Sequence, residues 1–467
     1  MGFLQNYAEE HAISLPGRQA RHWITDIKLL PTSCTKKHVF QLHKQAAITN
    51  NMRVVSESQF LSLWNQLVPF IRTMPPKSDL CWQCQDNIRK TMRMANRPDD
   101  EKAEIVLASE KHLKLVDGER QFYKETIKKT REQPNINLIV PGRHAYCSFA
   151  GINHVSFDFA QQTHFPSTPQ QIGPVYFKTP RKCGLFGVNC EAKQLQVNYL
   201  IDEGHACGKG ANSVISYVHD FLENHSLGEE ELYLSADNAT GQNKNNMVMW
   251  YLLWRCLTGR NTKVHISFLI AGHTKFSPDG GFGLMKRKLR KAEINSLADI
   301  EQATNDSAEM NLAKVVGYET DAQSRIPTYD WNSFLAPHFS KIIQIKSFHH
   351  FIFTNSPSVT LKEHVSGEET TQTLFREPPH FPAELPDIIK PAGLSIERQH
   401  YLFNEIREYV NDPWKDIVCP QPQEPLEVAA VQEEPDEPEP SQKRQKTAGK
   451  GKGTSTKGKG TFTKGKK

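Results

Sequence analysis

The chain has 467 residues, of which 38% are hydrophobic, and a formal net charge of +5. This length and composition fit a soluble protein of two or three domains whose core needs no disulfide bonds. No apolar run approaches the ~18 residues that span a membrane, so we expect an intracellular protein with no membrane partner. Nine scattered cysteines, with one close pair at Cys81 and Cys84, favour reduced thiols or a metal site over a secreted disulfide framework.

Charge is concentrated near the carboxyl terminus. Residues 424–439 carry seven acids and no base, whereas residues 443–467 carry ten lysines or arginines and no acid. Such sequence cannot bury a core, so we predict a disordered tail over 420–467, acidic and then basic. The basic part offers charges for phosphates, and KRQK at 443–446 suits a nuclear import signal. We expect a nuclear protein, with a solvated terminus that carries no address as the alternative.

The first 135 residues are predicted to form an α-helical region. Helices expected over 35–47 and 56–68 have helix-turn-helix-like spacing, which two ordinary packed helices would also give. A long amphipathic helix is predicted over 99–133. Between them, Cys81 and Cys84 stand at the spacing of a zinc knuckle, and a reduced pair in a small hydrophobic cluster is the alternative.

Residues 145–415 have the pattern of an α/β domain. Alternating apolar residues predict strands over 153–160, 173–188, 194–202, 231–236 and 263–270, with Gly184, Gly187 and Asn189 marking the turn between the second and third. Helices are predicted over 211–224, 246–257 and from about Gly283. A strand over 347–354 and a helix near 397–410 extend the core.

The order of these elements predicts a ribonuclease-H-like fold. Three antiparallel strands are followed by two right-handed crossovers, which bring the fourth strand beside the first and parallel to it. The predicted core is therefore a mixed five-stranded sheet, preceded by the α-helical region and followed by the disordered tail.

Two acids fall on neighbouring strands of that core. Asp158 lies on the polar face of the first strand, and Asp237 ends the fourth. Two-metal phosphoryl transfer needs carboxylates that hold two cations about 4 Å apart, and Mg²⁺ (or Mn²⁺) prefers such oxygen ligands. The alternatives are a solvated strand residue for Asp158 and a helix cap or Asx-turn for Asp237.

A third carboxylate is expected after the fifth strand, where Asp279 stands. A simple N-terminal helix cap is an equally open interpretation of Asp279. Bases near these acids are expected on DNA phosphates, although runs of charge also occur as plain solvated surface. The bases are Lys244, Lys286, Arg287, Lys288, Arg290 and Lys291.

Several motifs resemble one family as a set. The chain is similar to uncharacterised ribonuclease-H-like proteins that are spread through animal genomes as transposon remnants and resemble DDE/DDD transposase cores. The resemblance runs from LPGR at 15–18 to about residue 365. The motifs are DIKLLP, SDLCWQC, NRPDDEKAEIVLASEKHL, SFDFAQQ, GPVYFKTPRKCGLFGV, NYLIDEG, GKGANSVISYVHDFLE, LSADNATGQNKNN and AGHTKFSPDGGFGLMK.

This resemblance implies Asp158 and Asp237 as metal ligands and supports Asp279 as the third. More distant relatives carry a Glu in the following helix, where this chain has Leu284, Met285 and Lys286. They also resemble the chain in having Cys-x-x-Cys followed by His-Leu, which implies His112 as a zinc ligand with Cys81 and Cys84; a fourth ligand is not apparent.

We therefore expect a transposase- or integrase-like nuclease that cuts or joins DNA with Mg²⁺ or Mn²⁺ and carries a structural Zn²⁺. The alternative is a domesticated nuclear DNA- or chromatin-binding protein whose core no longer catalyses. The sequence leaves self-association into a homo-oligomer open.

Overall fold

The computed structural model describes residues 2–12, 28–74, 80–94, 97–316, 326–377, 379–382, 384–422 and 425. Contacts divide the chain into two units, residues 1–424 and 425–467, and only Pro425 of the second unit is described. The predictions for the acidic and basic tail, and the LPGR segment, lie outside the described residues. None of the described helices is long and apolar enough to cross a membrane.

A small amino-terminal module has its own core. It contains α1 (Gly2–His11), β1 (Lys28–Leu30), α2 (Lys36–Thr49), α3 (Glu57–Leu67) and β2 (Ile71–Thr73), with β1 and β2 parallel. The two helices predicted here are confirmed. Helix α3 begins where the Ser56 hydroxyl accepts from the Gln59 amide and the Gln59 side chain accepts from the Ser56 amide, a capping box that satisfies two free donors. Buried Phe40, Phe60 and Trp64 fill the core between the helices.

Two helices connect this module to the main domain. They are α4 (Trp82–Met92) and the 33-residue α5 (Asp99–Arg131), which confirms the long helix predicted over 99–133. Acids stand in the first turn of α5 and bases in its last turn, an arrangement that stabilises a helix through its dipole.

The main domain is built on one mixed sheet of nine strands, where five were predicted. Its strands are β3 (Phe149–Phe165), β4 (Arg181–Cys190), β5 (Leu195–Asp202), β6 (Glu229–Ala236), β7 (Lys263–Phe268), β8 (Asn311–Val316), β9 (His350–Thr354), β10 (Ser358–Lys362) and β11 (Thr370–Thr373). Their order across the sheet is β11-β10-β9-β7-β6-β3-β4-β5-β8, because β8 extends one edge of the predicted core and β9, β10 and β11 extend the other. The predicted pairing is confirmed: β3, β4 and β5 are antiparallel neighbours, and β6 lies beside β3 and parallel to it.

Eight helices of the described chain accompany this sheet. They are α6 (Gly173–Tyr176), α7 (Ala211–Asn224), α8 (Asn246–Leu257), α9 (Ser277–Leu289), α10 (Leu297–Asn305), α11 (Trp331–Leu335), α12 (Ile396–Tyr401) and α13 (Lys415–Val418). The bounds of α7 and α8 are those predicted, and α8 is buried around most of its circumference, as its apolar sequence indicates. The core extends to Val418 and Cys419.

Three predictions about individual elements were wrong. The segment from Gly173 begins as the short helix α6, in which Pro174 occupies the first turn, and the strand starts only at Arg181. Gly184, Gly187 and Asn189 all lie inside β4 and mark no turn. A Cβ on Gly187 would lie 2.6 Å from the Phe282 ring, so the glycine is required where α9 approaches the sheet.

The third wrong prediction is the start of α9, which begins six residues before Gly283. Its first turn is fixed by Pro278 and by the Asp279 carboxylate, which accepts from the Phe276 amide at 3.1 Å. The glycines of this segment weaken a helix, yet Gly281 faces the Gln196 side chain with no room for a Cβ. Close packing on the sheet therefore outweighs the low helix propensity of glycine.

The two faces of the central sheet differ in chemistry. One face carries apolar side chains such as Phe157, Leu234 and Ile266 and packs in the largest hydrophobic cluster with α7 and α8. The opposite face carries buried polar residues such as His154 and Ser156, and α5 and α9 contact it at β3. This polar face includes both Asp158 and Asp237.

Candidate functional site

Asp158 and Asp237 lie side by side on the polar face. In the parallel pair β3–β6 the last paired residues are Ser156 and Ser235, and Asp158 and Asp237 each follow two residues further on, Asp237 just beyond the end of β6. Neighbouring strands lie about 4.8 Å apart, and side chains two residues along a strand point to the same face. The two carboxylates predicted on adjacent strands are therefore brought together, at the end of β6.

The loop after β6 fixes the orientation of Asp237. One oxygen, Oδ1, accepts from the Asn243 side-chain amide at 2.5 Å and from the Ala239 backbone amide at 3.2 Å. Asn243 is fully buried, and its carbonyl oxygen Oδ1 has no hydrogen-bond partner. This leaves the second oxygen of Asp237 outside the hydrogen bonds of the loop and places an amide oxygen next to the carboxylate.

Asp279 completes an acidic group with these two residues. It stands in the first turn of α9, where one oxygen caps the helix, as the alternative interpretation anticipated. Capping does not remove it from the site, because its negative charge acts on Asp158. Burial, then the charges of Asp237 and Asp279, raise the pKa of Asp158 to about 8. A cation that neutralised this group would remove the repulsion.

A buried hydrogen-bond network holds α5 and α9 against the polar face. The fully buried Glu191 carboxylate accepts from Tyr123 on α5 at 2.6 Å, from Ser277 on α9 at 2.8 Å and from Ser156 on β3. The Tyr123 hydroxyl also accepts from the Ser277 amide at 3.2 Å. These contacts join the strand of Asp158 to the first turn of the helix that carries Asp279.

The predicted DNA-contacting bases differ in exposure. Arg287, Lys288, Arg290 and Lys291 are exposed on α9 or just after it, and Lys286 is half-buried.

Lys244 does not lie at the surface with these bases. Its side chain is 1% exposed and its ammonium donates to the Lys346 carbonyl at 2.9 Å, because the loop after β6 turns it inward over the Phe268 ring. Burial lowers the pKa of Lys244 to about 8. We therefore leave it out of the DNA-facing group.

A second group of side chains forms a buried Cys2His2 cluster that can bind a metal such as zinc. It consists of Cys81, Cys84, His112 and His273, whose ligand atoms all lie within 4.8 Å of one another. The Cys81 and Cys84 sulfurs lie 3.3 Å from Nε2 of His112 and His273 respectively. Tetrahedral zinc with bonds of about 2.3 Å to sulfur and 2.0 Å to nitrogen requires roughly 3.6 Å between such atoms, so the four residues fit zinc.

The backbone next to His273 passes very close to Cys81. Gly272 has a φ of +77°, and a Cβ there would overlap the backbone of Cys81, so the loop needs glycine. Arg120 on α5 donates to the His273 carbonyl at 2.8 Å and to the Lys275 carbonyl at 3.3 Å. The cluster and Arg120 thus attach α4 and α5 to the loop that leads into α9.

His273 is the fourth residue of the cluster, and the sequence did not indicate it. It follows Cys84 by 189 residues, and nothing in its local sequence links it to the cysteine pair. Among the described residues, the Cys2His2 cluster is the one group of three or more potential metal ligands whose ligand atoms all lie within 4.8 Å of one another. The three acids are less closely spaced. All nine cysteines lie among the described residues, and none of them forms a disulfide bond.

Comparison with known proteins locates a family within the main domain. Residues 180–369 match a family model described as a domain of unknown function, DUF7869. No curated protein and no solved structure matches the chain. The DUF7869 range contains Asp237, Asp279 and His273, whereas Asp158 and the other three cluster residues precede it.

Proposed function

We propose that the chain is a metal-dependent DNA nuclease of the transposase or integrase type, derived from a mobile element and acting in the nucleus. The observation that carries this proposal is the position of Asp158 and Asp237 two residues beyond the last pair, Ser156 and Ser235, of two adjacent parallel strands, where the charge of Asp237 acts on Asp158. The order of the five central strands, β5-β4-β3-β6-β7, is the one expected of a ribonuclease-H-like core and supports the same proposal.

The chemistry of the acidic group suits Mg²⁺ or Mn²⁺. Its donors are carboxylate oxygens, which hard divalent cations prefer, and a bound cation would remove the repulsion that raises the pKa of Asp158 beside two other carboxylates. When bound, such cations supply Lewis-acid activation of the attacking and leaving oxygens of a phosphodiester. In the proposed site Asp158 and Asp237 hold them, and Asp279 completes the set.

Other residues prepare these carboxylates. Asn243 fixes the rotamer of Asp237 through its 2.5 Å hydrogen bond, and the Glu191 network fixes the first turn of α9 and with it Asp279. Two of the bases at the end of α9, Lys286 and Arg290, contact phosphates of the bound DNA. Each of these roles requires a fixed geometry on rigid elements, which strands and the start of a helix provide.

The test is nicking of supercoiled plasmid by the purified full chain with added Mg²⁺. Asp237→Asn removes a charge at nearly constant shape and should abolish nicking while DNA binding and thermal stability change little. The control is Asp117→Asn, which makes the same substitution at an exposed position of α5 and should nick like wild type. If the Asp237→Asn variant nicks equally well, the nuclease proposal fails. Binding without any nicking by wild type would leave the non-catalytic DNA- or chromatin-binding function.

We also propose that the Cys2His2 cluster binds one structural Zn²⁺. Four ligands that leave no open position are typical of structural sites, and all four residues are buried. Burial and the nearby Cys81 raise the pKa of the Cys84 thiol to about 12, so this thiol stays neutral in the cluster until zinc displaces its proton.

Elemental analysis and Co²⁺ substitution test the zinc proposal. The full chain should contain one zinc, and Co²⁺ in its place should give the absorption of a tetrahedral site with two thiolates. His273→Ala should weaken zinc binding, and His273→Cys should restore it because thiolate is an equivalent ligand. A chain without stoichiometric zinc, folded equally well after chelation, would leave these cysteines and histidines as packing residues.

A further inference from the structure

An open groove lies along β3 and begins three residues beyond Asp158. Its volume is about 1440 Å³, and its floor includes Gln161–His164, which follow Asp158 on the same strand. One wall is α9 and the other is the loop 166–172. Small-molecule sites usually measure 300–1,000 Å³, so the size and the open shape suit a polymer better than a metabolite.

Two of the five α9 bases face this groove. Lys286 and Arg290 line it one helical turn apart, whereas Arg287, Lys288 and Lys291 do not. Lys286 also follows Asp279 by two turns, so it lies between the acidic group and the groove. Positive charge therefore lies beside the acids. A polyanion that is bound at the metal site and extends into the groove would meet this charge.

The carboxylates in the groove wall already have donors. Glu408 lies 3.4 Å from the Lys178 ammonium, and Glu293 accepts from the Asn411 side chain at 2.7 Å. These contacts reduce the repulsion that the two acids would exert on a polyanion. Lys178 offsets Glu408 whereas Glu293 keeps its charge, so Lys286 and Arg290 leave the groove with an excess of positive charge.

Amide side chains give the groove its remaining polar character. Gln161 and Gln162 lie on the floor, and Gln170 and Gln171 lie on the loop wall. An amide both donates and accepts, so it can contact phosphates and the edges of any base. A backbone held at the wall by Lys286 and Arg290 presents its bases to the floor amides when they are unpaired, because a strand without a partner can turn its base edges into the groove.

We propose that this groove binds a single strand of nucleic acid that continues from the phosphate at Asp158 and Asp237. The inference rests on the proposed function for the identity of the polymer, and it adds the path and the strand state of the substrate. Lys286 and Arg290 hold the backbone, and the glutamines contact bases without selecting a sequence.

The test measures binding in the absence of added divalent cations, so that it does not depend on cleavage. The probe is a fluorescein-labelled 12-nucleotide single-stranded DNA of mixed sequence, titrated with zinc-loaded full chain at several salt concentrations. Lys286→Gln with Arg290→Gln should weaken binding about tenfold or more. The slope of log affinity against log salt should flatten by about 1.4, or 0.7 for each phosphate that is no longer neutralised.

The matched control is Arg287→Gln with Lys288→Gln, which removes the same charge from the same helix outside the groove. It should leave the salt slope for single strands unchanged. Equal effects of the two double variants, or tighter binding of a duplex of the same sequence, would overturn the proposal. The two proposals fail separately. Wild type that binds the probe as described but does not nick plasmid contradicts the nuclease alone, whereas wild type that nicks while the Lys286→Gln with Arg290→Gln variant binds the probe normally contradicts the groove alone.

Discussion

The two faces of the central sheet contribute differently to stability. Phe157 on the apolar face is buried by hydrophobic neighbours, whereas His154 and Ser156, next to it on the same strand, are equally buried among polar groups. Burial of apolar surface stabilises the fold, but each buried polar group costs free energy unless it is paired. The apolar face therefore stabilises the domain, whereas the polar face holds the acidic group at a cost in stability.

The largest effect should come from the apolar face. Phe157→Ala leaves a cavity in the main core and should lower the free energy of unfolding by about 3–5 kcal/mol. The matched control is Phe177→Ala, because Phe177 is 85% exposed and its loss should change that free energy by less than about 0.5 kcal/mol. Urea unfolding followed by circular dichroism measures both, and similar losses would contradict the assignment of faces.

On the polar face, removing a charge should stabilise the protein. Asp158→Asn relieves burial of a carboxylate beside Asp237 and Asp279, so the free energy of unfolding at pH 7.5 without divalent cations should rise by roughly 1–3 kcal/mol. The same substitution at exposed Asp117 should have almost no effect. A destabilised Asp158→Asn variant would mean that the carboxylate has stabilising partners and does not repel its neighbours.

Acid should weaken the polar face through His154. Burial lowers the pKa of His154 to about 3, from about 6.5 in the unfolded chain. The unfolded state thus binds a proton below pH 6.5 that the folded state refuses, and stability falls with decreasing pH between 6.5 and 3. His154→Gln should reduce this slope by about 1.4 kcal/mol per pH unit. If the unfolding free energies of wild type and His154→Gln changed in parallel between pH 4 and 6, the role of His154 in acid destabilisation would be contradicted.

The sequence predicted the parts of this sheet that follow local pattern. Alternation along β3 separated Phe157 from Asp158, and continuous apolar sequence identified α8, because period and burial are properties of neighbouring residues. Glycine misled the prediction twice, in β4 and in α9, since the close approach of Gly187 to Phe282 joins segments about a hundred residues apart.

Parts of the sites could not be found from local pattern. The fourth cluster residue, His273, comes from a loop after β7, and only the packing of Gly272 on Cys81 reveals the contact. Lys244 looked like a surface base within a polar motif, yet the loop after β6 turns it inward. Which way a side chain points in a loop depends on tertiary contacts that spacing does not encode.

The most direct test of the account is divalent-cation binding by the acidic pair. Mn²⁺ can be titrated into zinc-loaded full chain and its free concentration followed by electron paramagnetic resonance. We predict saturable binding by wild type and by Asp117→Asn, and loss of that binding in Asp158→Asn and in Asp237→Asn. Equal Mn²⁺ binding by all four proteins, or none by wild type, would contradict the claim that the polar face of the sheet holds the catalytic metal.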